Sequence, residues 1–143
     1  MRLETLTAQD VMTTAVITLK EGDTVSDADA EMHLADIRHL PVVDKHGHLV
    51  GIVSNRDLMR ALARARGKAV KVAEVMTRKV RTIRPDTPIR QATSLMLQHK
   101  IGALPVVGDE EELVGIVTET DLLRIAHRAA GGQRTDWPPD AVI

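Results

Sequence analysis

Apolar positions along the chain change period twice, in the same order each time. Residues 40–43 and 49–53 are runs of Leu, Val and Ile around a polar turn, Lys45-His46-Gly47-His48. That is the pattern of two short strands joined as a hairpin. Residues 104–107 and 113–117 repeat it around the acidic turn 108–112. Ahead of each hairpin, Val25, Ala28 and Met32, or Ile89, Ala92 and Met96, recur at three- and four-residue spacing and predict one buried helix face. Gly22-Asp23-Thr24 marks the start of the first of these helices. Asp86-Thr87-Pro88 marks the second, with the proline expected in its first turn. Residues 16–19 and 80–83 read as short strands before the helices. A further helix opens near Asn55 or Glu119 and carries Leu58 and Leu62, or Leu122 and Leu123. The predicted order is β-α-β-β-α, twice, with short lead-in helices over 7–12 and 71–76.

The two halves are copies. Val11-Met12-Thr13 returns as Val75-Met76-Thr77, Leu40-Pro41-Val42-Val43 as Leu104-Pro105-Val106-Val107, and Leu49-Val50-Gly51-Ile52-Val53 as Leu113-Val114-Gly115-Ile116-Val117. At a constant offset of 64, residues 11–60 laid over 75–124 give 20 identities in 50 positions, where unrelated chains of ordinary composition give about three. The organisation expected is repeat 1 at 7–62, a helical connector at 63–70, repeat 2 at 71–127 and a flexible tail at 128–143. A unit this short buries too little surface alone, so the two are expected to share a core.

Composition narrows the function. The net charge is −1, which favours neither nucleic acid nor an anionic membrane. No apolar run has membrane-span length, and residues 1–10 lack an apolar signal core, so a cytoplasmic location is expected. With no cysteine, disulfides, thiolate catalysis and cysteine metal sites are excluded. There is no Phe or Tyr, and Trp137 is the one Trp, so a bound base would lie against aliphatic side chains, not on an aromatic platform. No Walker loop, dinucleotide fingerprint, nucleophile elbow or paired acids with a base appear, so the chain is not expected to be an enzyme.

The repeated motifs resemble those of the CBS-domain family: the Val-Met-Thr lead-in, a hydrophobic residue four before proline (Ile37 to Pro41, Ile101 to Pro105), and Gly-x-x-Ser/Thr-x-x-Asp at Gly51-Asp57 and Gly115-Asp121. The resemblance spans about residues 7–127 and is to a stand-alone bacterial-type tandem pair, or Bateman module. It implies an α/β (α+β) fold, two tandem β-α-β-β-α repeats related by pseudo-two-fold symmetry, with two clefts that bind AMP, ADP, ATP or a related adenosyl compound, with or without magnesium. It also implies a homodimer and a separate regulated protein. Carried over by position, one cleft takes Asp121, Thr118 and Thr120 with Val16, Ile17, Thr18, Ile37, Arg38, His39 and Pro41. The other takes Asp57, Ser54 and Arg56 with Val80, Arg81, Thr82, Ile101, Gly102, Ala103 and Pro105. Arg56 departs from the family pattern, which favours a small hydroxyl residue there.

Each candidate also has a plain structural reading. A carboxylate at 57 or 121 can accept hydrogen bonds from both ribose hydroxyls, yet Ser54-x-x-Asp57 and Thr118-x-x-Asp121 also match helix capping boxes, and the two roles are compatible. Arg38 and His39 suit phosphate or simply a solvated corner; their counterparts Gly102 and Ala103 are uncharged, so the clefts are expected to differ. His46 and His48, an H-x-H pair flanking Gly47 in a turn, are expected to be solvent-exposed, and His33, His99 and His127 have no partner at ligand spacing, so no metal is expected. The basic stretch Arg60, Arg64, Arg66, Lys68, Lys71 is expected to be a solvated surface. The alternatives to a nucleotide sensor are a structural or dimerisation module with degenerate clefts, and a nucleic-acid binder acting through that stretch.

Overall fold

The computed structural model describes residues 2–136. In chain order the elements are α1 (Ala8–Val11), β1 (Leu19–Lys20), α2 (Val25–Ala35), β2 (His39–Val43), β3 (Leu49–Ser54), α3 (Asn55–Ala65), α4 (Ile89–His99), β4 (Ala103–Val107), β5 (Leu113–Thr118) and α5 (Glu119–Ala129), with 3-10 turns at Leu3–Thr5, Val72–Glu74 and Arg134–Asp136. The chain is α/β, and its elements form two compact units. One comprises 17–80 and 109–113 and is built on the β2–β3 hairpin; the other comprises the chain up to Val16, Arg81–Gly108 and the chain from Val114 on, and is built on β4–β5.

The partition cuts across the sequence repeats because their lead-in segments are exchanged. Thr13 pairs with Ile116 through Thr13 N–H to Ile116 O at 2.9 Å and Ile116 N–H to Thr13 O at 3.0 Å. Thr77 pairs with Ile52 in the same way, at 2.9 and 3.0 Å. The motif glycines make room for this. A Cβ built on Gly115 would stand 2.6 Å from the Met12 sulfur and 3.1 Å from the Thr13 carbonyl oxygen. One on Gly51 would stand 2.5 Å from the Met76 sulfur and 3.1 Å from the Thr77 carbonyl oxygen. Each Val-Met-Thr motif thus seats its methionine on the hairpin glycine of the other repeat, where only hydrogen fits.

In the β2–β3 unit, β2 pairs antiparallel with β3 and parallel with β1. Val25, Ala28 and Met32 on α2 are buried as their spacing predicts, as are Leu40, Val42 and Val53 of the sheet and Leu58 of α3. In the β4–β5 unit, Ala92 and Met96 of α4 pack with Leu104, Val106 and Val117 around Ala8 and Ile83. Truncating a fully buried leucine such as Leu40 or Leu104 to alanine removes about 2–5 kcal/mol.

Several expectations change. The strands expected over 16–19 and 80–83 shrink to Leu19–Lys20 and to a single bridge between Ile83 and Val106. Ile83 N–H bonds to Pro105 O at 3.0 Å and Val107 N–H to Ile83 O at 2.9 Å; the next rung would need an N–H that Pro105, or Pro41 in repeat 1, does not have. The helix expected over 71–76 is the 3-10 turn Val72–Glu74. Pro88 caps α4 from the position before Ile89 and does not enter its first turn, with its carbonyl accepting the Ala92 N–H at 3.1 Å. Leu62 of α3 and Leu123 of α5 are 38% and 70% exposed. Of the tail expected over 128–143, residues 128–129 end α5 and Arg134–Asp136 form a 3-10 turn whose Asp136 accepts a bond from the His127 ring at 2.6 Å; the rest from residue 137 on lies outside the described residues.

Candidate functional site

In the β4–β5 unit, β5 ends at Thr118, which opens α5, and Asp121 is the third helical residue. The Thr118 backbone N–H and hydroxyl both donate to Asp121 Oδ2, at 2.8 and 3.1 Å. The Thr13 hydroxyl donates to Oδ1 at 3.3 Å. Asp121 is only 6% exposed. Burial pushes its carboxyl above the usual carboxylate range; the bonds from Thr118 and Thr13 and the charge of Arg124 oppose that rise. Thr120 points outward. The Glu119 N–H bonds to Gly102 O at 3.1 Å, tying the start of α5 to the segment Ile101, Gly102, Ala103 that runs into Pro105. Arg81 is exposed and Thr82 half-buried just before the Ile83 bridge.

The β2–β3 unit repeats this with differences. Ser54 opens α3, its N–H donates to Asp57 Oδ2 at 3.1 Å, and the Asp57 N–H returns to Ser54 Oγ at 3.1 Å. The Asn55 N–H bonds to Arg38 O at 2.8 Å, the counterpart of the bond to Gly102. Asp57 is half-exposed, and among the described residues no hydroxyl reaches it; Thr77, which corresponds to Thr13, is exposed. Ile37 and Pro41 are buried, His39 half-buried, and Arg38 and Arg56 exposed.

Each unit therefore joins a carboxylate at a helix start to the pre-proline segment of its own repeat. Of the partners assigned by resemblance, Val16 shares a unit with Asp121, and Val80 shares one with Asp57. Ile17, Thr18, Ile37, Arg38, His39 and Pro41 belong to the β2–β3 unit, whereas Arg81, Thr82, Ile101, Gly102, Ala103 and Pro105 belong to the β4–β5 unit. Among the described residues, no three His, Asp or Glu side chains converge as metal ligands. Sequence reasoning missed Thr13. The available signal was its place in a motif repeated intact at Thr77, but its partner lies 108 residues away.

Two α/β units, each with a carboxylate at the helix that follows a hairpin and each completed by the other repeat's lead-in, define a duplicated module. The chain belongs to the CBS domain family, whose model matches residues 8–64 and 72–128. It is 42% identical over 116 residues to a homoserine O-acetyltransferase of Methanococcoides burtonii, covering 81% of this chain but 23% of that protein. The chain thus spans about a quarter of the length of such curated relatives. Among solved structures, the CBS domain pair of protein MJ0100 in complex with 5'-methylthioadenosine and S-adenosyl-L-methionine matches with a TM-score of 0.80 at 34% identity, covering 87% of this chain and 98% of that one. CBSX2 in complex with AMP matches with a TM-score of 0.76 at 30% identity, covering 87% and 98%.

Proposed function

We propose that this chain is a non-catalytic regulatory module that binds an adenosine-containing nucleotide, with Asp57 and Asp121 as ribose clamps, and passes its occupancy to a partner protein in the cytoplasm. The observation that carries the reading is Asp121. A carboxylate held 6% exposed at a helix start is costly to bury and is more than a helix cap requires. Caps elsewhere in the chain, such as Thr24 with Asp27, work at the surface. The adenosyl ligands of the structural neighbours support the same reading. In the proposal, Thr118, Thr120 and Val16 accompany Asp121, Ser54, Arg56 and Val80 accompany Asp57, and Ile17, Thr18, Ile37, Arg38, His39, Arg81, Thr82, Ile101, Gly102 and Ala103 are the further candidate ligand contacts. No helix among the described residues is long and apolar enough to cross a membrane.

A structural module with empty clefts is the second reading, favoured by the bonds with which Asp57 and Asp121 cap their own helices. Thermal melting separates the two. A ligand at about 100 times its dissociation constant adds about 2.7 kcal/mol to the fold. AMP, ATP or S-adenosylmethionine should raise the melting temperature while GMP does not. No shift with any of the three adenosyl compounds would leave the structural reading standing.

A further inference from the structure

The start of α3 opens onto a second feature that the ribose role of Asp57 does not use. Asp57, Arg60 and Arg64 follow one another at three- and four-residue spacing along one helix face, and they line a hollow of about 350 Å³. Ala61 lines it as well, and Glu74 stands among the residues of the connecting segment that also line it. Both arginines are exposed, and among the described residues neither guanidinium has a hydrogen-bond or ion-pair partner. Glu74 pairs with neither; its Oε2 accepts the Lys71 backbone N–H at 2.9 Å. Two planar forks, suited to bidentate phosphate contacts, are left uncommitted beside a carboxylate suited to a ribose.

We infer that this hollow is the polyphosphate subsite of the Asp57 cleft, so that the cleft takes a nucleoside di- or triphosphate and Arg64 distinguishes it from a monophosphate. The inference rests on the proposed ribose role of Asp57. Helix rise puts Arg60 one turn and Arg64 two turns, about 10 Å, beyond Asp57. A monophosphate held at Asp57 therefore meets Arg60, and a longer phosphate chain laid along α3 meets Arg64 as well. With Asp57 occupied by ribose hydroxyls, two guanidiniums outweigh the single charge of Glu74. Arg60 and Arg64 are separate from the residues that the family resemblance assigns to this cleft.

Calorimetric titration of the full chain with AMP and ATP, at fixed magnesium and ionic strength, tests this. Asp57→Ala identifies the component of binding that belongs to this cleft. Arg64→Ala should weaken ATP at that component by about 10-fold, the low end for a charged hydrogen bond, because the site is open to water. It should leave AMP within about twofold by the same reasoning. Arg64→Lys, which keeps the charge but not the fork, should recover part of the ATP affinity, and Arg66→Ala, outside the hollow, should change neither ligand. If Asp57→Ala removes AMP binding but Arg64→Ala weakens ATP and AMP equally, or neither, the polyphosphate subsite is overturned while the ribose clamp stands. If Asp57→Ala removes no binding at all, the ribose clamp fails and the subsite with it.

Discussion

The Thr13 hydroxyl donates to Asp121 Oδ1 at 3.3 Å, whereas among the described residues the corresponding Thr77 makes no bond to Asp57. One proposed ribose clamp is therefore engaged by the exchanged lead-in and the other is open. A ribose arriving at Asp121 has to displace the Thr13 hydroxyl; one arriving at Asp57 meets no such hydroxyl among the described residues. Thr13→Val should tighten the Asp121-dependent component of AMP binding by about 2- to 10-fold, the worth of one neutral hydrogen bond. Thr13→Ser should behave as wild type, and Thr77→Val should leave the Asp57 component unchanged. Weaker binding in Thr13→Val would make Thr13 a ligand contact and not a competitor.

Asp121 should also mark the pH profile of stability. Its carboxyl is raised in the folded chain by burial, so the fold holds that proton more tightly than the unfolded chain does. The contribution is fully present below the unfolded carboxylate pKa and is lost as pH rises through the folded value. At neutral pH the ionised, buried group is a cost. Asp121→Asn should therefore melt at a higher temperature than wild type at pH 7, with the gap closing toward pH 4. Melting curves across that range give the answer; a gap that does not vary with pH contradicts it.

Gly115 tests the exchange of lead-in segments. An alanine there would force the Met12 sulfur and the Thr13 carbonyl away from β5. Overpacking of this kind costs about 1–3 kcal/mol, and Gly51→Ala should cost a similar amount through Met76 and Thr77. Urea denaturation of both variants measures it. An unchanged midpoint in either would mean that the methionine moves aside freely.

Homodimerisation is expected from the apolar side chains left exposed on both units: Leu34, Leu97 and Leu123 are 84%, 79% and 70% exposed, and Met59 is 62% exposed. Met59 and Leu123 occupy the same position in the two repeats. Sedimentation at micromolar concentration should give a dimer, and Met59→Glu with Leu123→Glu should give a monomer. A wild-type monomer at all concentrations would rule the dimer out.

The hairpins and the buried faces of α2 and α4 were legible because period-two and helical spacing report burial directly, as with Val25, Ala28 and Met32. Ser54-Asp57 and Thr118-Asp121 were legible as caps because a capping box is local. The exchange of lead-ins was not, since a repeat shows that Thr13 matches Thr77 but not that Thr13 pairs with Ile116. The shortened first strands depend on which N–H groups a parallel neighbour must supply. Pro41 and Pro105 held that information, but only the register reveals it. The hollow along α3 was equally hidden, because Arg60 and Arg64 read as a solvated helix until Asp57 and Glu74 were seen to share their surface.

The central claim is that two carboxylates at two helix starts hold the ribose of an adenosine nucleotide, and calorimetric titration with AMP addresses it most directly. Wild type should bind AMP and not GMP. Asp57→Ala and Asp121→Ala should each lose about 10- to 150-fold in affinity at one component, the range for a charge-assisted hydrogen bond, and the double variant should lose both. AMP binding of unchanged affinity and stoichiometry in the double variant would contradict the account and leave Asp57 and Asp121 as helix caps alone.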